Sequence, residues 1–204
     1  MNRVYIKKGR DESIKRFHPW IFSGAIAKIV GEPYEGEVVE VFSYDEQFLA
    51  YGHFQKGSIT VRILSYNRDE RPENGAMTLA FWVDRLSKAK SMRTVLGLPE
   101  SKTDCYRLVH GEGDSLPGLI IDIYGKTAVI QAHSAGMFLS LEVITEALKV
   151  CFGEDIASIY KKASEGLSKI EDPEKFKAQF ATALDAVRGI VQILTEEGGL
   201  NSEG

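Results

Sequence analysis

The run Lys15-Arg16-Phe17-His18-Pro19-Trp20 sets cations and an imidazole directly beside large aromatic rings. Cations neutralise phosphates and flat rings meet unstacked bases, which is what single-stranded or looped RNA requires of a protein surface. Lys7, Lys8 and Arg10 precede the run closely, so Lys7, Lys8, Arg10, Lys15, Arg16 and His18 form the candidate RNA-binding set. Trp20 and Phe22 are expected in a barrel core, which leaves the neighbouring cations as the ligand face.

A second stretch, Arg107-Leu-Val-His-Gly-Glu-Gly-Asp-Ser-Leu-Pro-Gly-Leu119, holds His110, Glu112 and Asp114 within five positions. Those groups could serve acid–base chemistry, but no nucleophile or metal partner lies nearby, so a tight structural connection is the favoured reading. Pro117-Gly118 suits a type II turn. The glycines do not make a dinucleotide loop: Leu116 stands where Gly111-x-Gly113 needs its third glycine, and no helix opens there. Gly125-Lys126-Thr127 ends like a phosphate loop, but Ile120 stands where the loop needs glycine. His18, His53, His110 and His133 are scattered, and Cys105 and Cys151 lack CxxC companions, so neither a metal centre nor a disulfide framework is expected.

The chain's 204 residues carry a net charge of −4, which argues against a protein coated in nucleic acid. The average hides an asymmetry: residues 1–30 hold seven Lys/Arg against two acids, whereas residues 137–204 hold seven against twelve. A basic front can bind a polyanion locally while the whole stays soluble. No run of eighteen apolar residues occurs and no apolar segment follows the N-terminal charges, so neither a membrane span nor a secretory signal is expected. Two lone cysteines fit a reducing cytoplasm.

These groups must be positioned by three stretches of chain. Residues 1–72 are strand-rich: Val4–Lys7, Trp20–Ile29, Glu37–Phe42, Phe48–Phe54 and Ser58–Tyr66, with a helical turn capped by Ser13. Frequent glycines between short strands point to a small barrel. Residues 67–77 form a polar linker. Residues 78–162 read as a small α+β domain, with a helix over 78–96 on Leu79, Trp82, Leu86, Ala89 and Leu96. Strands follow at Tyr106–His110, Leu119–Tyr124 and Thr127–His133, then a helix over Met137–Cys151 and a last strand at Ala157–Lys161. Gly125-Lys126 joins two of the strands as a type II′ hairpin.

Residues 163–204 read as a lead-in and an amphipathic helix over 173–197, begun by Asp172 and Pro173. Its seam of Phe176, Phe180, Leu184, Val187, Val191 and Leu194 is narrow, which suits a homodimer through paired helices.

Arg10, Arg16-Phe-His-Pro-Trp-Ile-Phe-Ser-Gly-Ala25, Gly36-Glu-Val-Val-Glu-Val41 and Tyr51-Gly-His53 resemble the PUA domain that opens the class I SAM-dependent methyltransferases making 5-methylcytosine in large-subunit (23S) rRNA. Tyr106–Gly125 resembles that family's central domain, and the resemblance runs from about residue 3 to 162. It implies a PUA-like β pseudo-barrel followed by a small α+β domain; with the C-terminal amphipathic helix read from its own spacing, the expected fold class is α+β.

In that family a Rossmann-like domain follows the strand at Ser158–Tyr160, bringing the SAM loop, a Pro-Pro motif and the cysteine that attacks the base. No such loop follows residue 160, and neither Cys105 nor Cys151 lies in a matching motif. The resemblance thus implies the rRNA-recognition front of a methyltransferase, with no catalytic residue or cofactor site of its own and inactive alone. The alternatives are an rRNA cytosine-C5 methyltransferase completed by a catalytic domain on another chain, or a protein-interaction module.

Overall fold

Arg3–Ile6 (β1) lies between Ile26–Val30 (β3), antiparallel to it, and Val38–Phe42 (β4), parallel to it. The antiparallel strands Phe48–Phe54 (β5) and Ile59–Ser65 (β6) follow, and Trp20–Phe22 (β2) completes the order β2-β6-β5-β4-β1-β3. The two outermost strands, β2 and β3, are joined by only the Ser23–Ala25 turn. Three residues cannot span a flat six-stranded sheet at about 4.8 Å per strand, so the sheet curls into a half-barrel. Val4, Ile6, Ile21, Val39, Val41 and Val61 fill its interior. The computed structural model describes residues 1–100 and 102–163.

Glu12–Lys15 (α1) is the expected helical turn, but its cap is Asp11, not Ser13. The Asp11 side chain makes no capping hydrogen bond; its carboxylate instead meets Lys15 Nζ one turn on, at 2.7 Å.

The polar segment 67–77 connects the half-barrel to the second layer and is held along its length. The Tyr51 hydroxyl donates to Arg68 O at 3.1 Å, the Val38 amide donates to Gly75 O at 2.8 Å, and Met77 is buried. Leu79–Val95 (α2) then starts at Thr78, whose hydroxyl accepts the Phe81 amide at 3.3 Å. Phe81, Trp82, Leu86 and Ala89 are buried on it. Leu96, expected on the buried face of a helix over 78–96, is the residue after the last turn and is exposed, because the helix ends before the apolar spacing does.

The second sheet has the order β10-β9-β8-β7, from Cys105–His110 (β7), Leu119–Tyr124 (β8), Thr127–Ala132 (β9) and Ser158–Ala163 (β10). All neighbours are antiparallel except β10 and β9. At the β8–β9 hairpin Gly125 takes φ +56°, as the first position of a type II′ turn requires. The single helix expected over 137–151 is two: Ala135–Leu139 (α3) and Leu141–Phe152 (α4). Ser140 breaks it by bending its hydroxyl back onto Gly136 O at 2.8 Å, the local competition that makes serine a helix boundary residue.

The outer face of the half-barrel joins the apolar core of the second layer, while its interior holds a separate cluster. The outward side chains Val38, Tyr51 and Leu64 pack with Trp82 and Leu86 of α2, while Val39 and Val41 face the barrel interior. β4 is therefore buried on both faces. No helix among the described residues is long and apolar enough to cross a membrane. The expected 173–197 helix and its homodimer fall outside the described residues.

Candidate nucleic-acid interface

All six sequence-derived candidates, Lys7, Lys8, Arg10, Lys15, Arg16 and His18, are exposed. They come from the β1–α1 turn, α1 and the segment leading into β2. Gly9 supports that turn with φ +71°, and the Arg10 amide donates to Lys7 O at 3.0 Å. The six differ in what else they do. Lys7 Nζ donates to Gly24 O at 2.9 Å, and Lys8 Nζ sits 5.8 Å from the Tyr44 ring centre. Lys15 is paired with Asp11, and that hydrogen bond lowers the Asp11 pKa and raises that of Lys15. Asp11 is largely covered while the Lys15 side chain is half exposed, so the ammonium remains open to a second, phosphate partner. His18 Nδ1 lies 3.2 Å from both the amide nitrogen and the carbonyl oxygen of Trp20.

The aromatic residues overturn the core assignment. Ile21 points into the barrel, so the period of two puts Trp20 and Phe22 on the opposite, outer face of the edge strand β2. Trp20 is half-buried, Phe22 is 48% exposed and Phe17 is 71% exposed. His18, Trp20 and Phe22 form a run of neighbouring rings, His18 to Trp20 at 5.9 Å and Trp20 to Phe22 at 6.4 Å, while Phe17 pairs edge-on with Tyr66 at 5.0 Å. The Tyr66 hydroxyl donates to His18 O at 3.1 Å, and burial pushes its pKa up to about 12. Phe17 has φ +63°, a left-handed conformation unusual for a bulky residue. Such strain persists only where surrounding structure imposes it, and it holds an apolar ring in water here.

The His110–Leu119 connection is a built loop. Gly111–Asp114 forms a helical turn with Gly111 at φ +50° and Ser115 at φ +59°. Gly118 at φ +86° and the Leu119 amide on Leu116 O at 3.0 Å give the type II turn expected at Pro117-Gly118. Asp114 is clamped by Arg93 through two 2.7 Å hydrogen bonds and accepts the His110 amide at 2.6 Å. Glu112 accepts the Trp20 indole N–H at 2.9 Å. The His110 ring, 3.2 Å from Arg107 Nη1, and the Glu112 and Asp114 carboxylates thus have different side-chain partners and do not converge on a reacting point.

The loop leads from strand to turn to strand, not into a long helix, and it packs closely at Gly118, where a Cβ would meet Ser134 Oγ at 2.9 Å. The exposed Cys105 thiol donates to Asp104 at 3.4 Å, and that bond raises its pKa, the opposite of an activated nucleophile. No group of three metal-ligating side chains occurs among the described residues.

Between Trp20 and this loop lies a groove of about 320 Å³, lined by Trp20, Arg62, His110, Glu112, Gly118 and His133 among others. Sequence reasoning missed Trp20 and Arg62 as surface groups. Trp20-Ile21-Phe22 is apolar on both sides of the strand, so the sequence carries no signal that one side faces solvent.

A curled sheet of this topology with a basic, aromatic outer face defines a PUA-like protein, and residues 4–66 match the family model described as a PUA-like domain. Over most of its length the chain is also similar to large-subunit rRNA methyltransferases. It is 37% identical over 169 residues to ribosomal RNA large subunit methyltransferase I of Vibrio campbellii, covering 82% of this chain and 40% of that protein. With the Erwinia tasmaniensis protein of the same name the identity is 35% over 173 residues, covering 84% of this chain and 42% of the relative. The chain spans about two-fifths of the length of these relatives. A structure from Streptococcus mutans assigned as a SAM-dependent methyltransferase shares the fold, with TM-score 0.66 and 17% identity over 80% of this chain and 41% of that one. A second methyltransferase-assigned structure, complexed with SAH, gives 0.67 and 16% over 82% and 41%.

Proposed function

We propose that this chain is an RNA-binding module that recognises rRNA for a SAM-dependent methyltransferase reaction and does not itself hold SAM or attack the base. The observation that carries this reading is the set of rings, exposed Phe17, His18 and Phe22 with half-buried Trp20, on the same segment as the exposed cations Lys7, Lys8, Arg10, Lys15 and Arg16. Phosphates meet the cations and set register, while unstacked bases meet the rings. The kinship with large-subunit rRNA methyltransferases supports rRNA as the target, with a cytoplasmic site of action. In the relatives' reaction SAM supplies the methyl group, and the described residues contribute only binding and orientation.

The test is affinity for a single-stranded rRNA fragment over a salt series. Log affinity should fall with log salt with a slope of about −0.7 per phosphate contact. The Lys15→Glu/Arg16→Glu chain should bind many sequences more weakly and with a shallower slope. Unchanged affinity in that double variant moves the RNA face elsewhere. SAM calorimetry on the same protein should give no heat of binding; micromolar binding overturns the second half of the proposal.

A further inference from the structure

Resting on the RNA-binding reading, we propose that the groove between Trp20 and the His110–Leu119 loop is a subsite for one unstacked nucleobase that carries an exocyclic amino group. Its volume of about 320 Å³ falls at the lower end of the range for small-ligand clefts, about 300–1,000 Å³. One wall is the Trp20 indole, held in place by its own N–H on Glu112 Oε1 at 2.9 Å. That bond fixes the Glu112 carboxylate and leaves Oε2 as an acceptor. Arg62 supplies donors to the same groove. Its Nη1 is spent on Gln55 Oε1 at 3.0 Å, and a guanidinium has five N–H groups in all.

The charge pattern sets the selectivity. A carboxylate only accepts hydrogen bonds, so it favours the amino groups of adenine, cytosine or guanine and disfavours the carbonyl that uracil presents in the same place. Arg62 faces the ring acceptors those three bases carry next to the amino group. The floor does not yield, because Asp114 is clamped by Arg93 and the His133 amide donates to Gly118 O at 2.8 Å. Continuity with the outer face completes the argument. The Trp20 ring touches both this groove and the Phe22 ring, so a strand stacked on Phe22 is led to the groove mouth.

The experiment follows the Trp20 indole N–H resonance during titration with AMP, CMP, GMP and UMP, alongside single-stranded RNA binding by the same protein. AMP, CMP and GMP should shift the resonance, with UMP weaker by about tenfold. Glu112→Gln keeps an acceptor for the indole but adds a donor, so UMP should gain and the tenfold preference should collapse. A resonance unmoved by all four nucleotides, or moved equally by UMP, overturns the subsite and leaves the Trp20–Glu112 bond as a latch between the two sheets. A preference unaltered in Glu112→Gln overturns the role given to the carboxylate. RNA binding without a Trp20 response sinks the groove alone; a Trp20 response without RNA binding sinks the broader function alone.

Discussion

The ring of His53 on β5 occupies the space where a side chain at Gly136 of α3 would stand. A Cβ built on Gly136 overlaps the imidazole outright, so half-barrel and helix approach to backbone distance at this point. The imidazole is almost fully buried, and its Nδ1 has no hydrogen-bond partner among the described residues.

Gly136→Ala should therefore force β5 and α3 apart. Overpacking of this sort costs about 1–3 kcal/mol, and urea unfolding of the variant should show that loss with little change in slope. Wild-type stability in Gly136→Ala would mean the contact is soft.

The same burial makes stability depend on acid. Desolvation first, then the nearby Arg62 charge, brings the His53 pKa down from 6.5 to about 3, so the fold accepts the neutral ring. The unfolded chain takes up the proton first. Stability is thus complete above about pH 6.5 and falls as pH drops from there toward 3, by up to about 1.4 kcal/mol per pH unit. His53→Phe keeps a ring and removes the titration. Its unfolding free energy, measured between pH 6.5 and 4, should lose about one proton's worth of slope; an unchanged slope assigns the acid sensitivity to another group.

Phe17 separates binding from folding. Phe17→Asn places a residue that tolerates the left-handed region at φ +63°, while the edge contact with Tyr66 is lost. Relief and loss are each about 1 kcal/mol, so thermal stability should barely move. Affinity for single-stranded RNA should drop by about 1–3 kcal/mol if the ring stacks on a base. Equal falls in both quantities would make Phe17 a structural residue.

The Arg93–Asp114 clamp should matter for folding. Both side chains are largely buried, and Asp114→Ala leaves a guanidinium and the His110 amide without their acceptor. A loss of about 3 kcal/mol is expected in chemical denaturation. A loss under about 1 kcal/mol would show that the turn holds its shape through Gly111 and Gly118 alone.

The strand Phe48–Phe54, the helix near 78–96 and the Pro117-Gly118 turn were legible because each rests on local chemistry: β-rich composition, amphipathic spacing and fixed backbone angles. What eluded the sequence depends on neighbours distant in the chain. Trp20 and Phe22 look like core residues until β2 is known to be an edge strand whose inner position is taken by Ile21. The candidate cations were visible by charge, whereas the groove between Trp20 and Glu112 joins residues 92 positions apart. Polar composition marked 67–77 as a linker but could not reveal that Met77 is buried or that Val38 pairs with Gly75.

The double-sided burial of β4 bears on how the protein can be taken apart. A fragment ending in the polar 67–77 segment would present Val38, Tyr51 and Leu64 to water, where each such side chain forgoes about 1.5–3 kcal/mol of burial. The half-barrel is consequently not a cassette to be cut out and grafted elsewhere. Its amides in β4 and those of the second sheet should exchange with solvent through a single shared opening, so that loosening either layer melts the aromatic outer face as well.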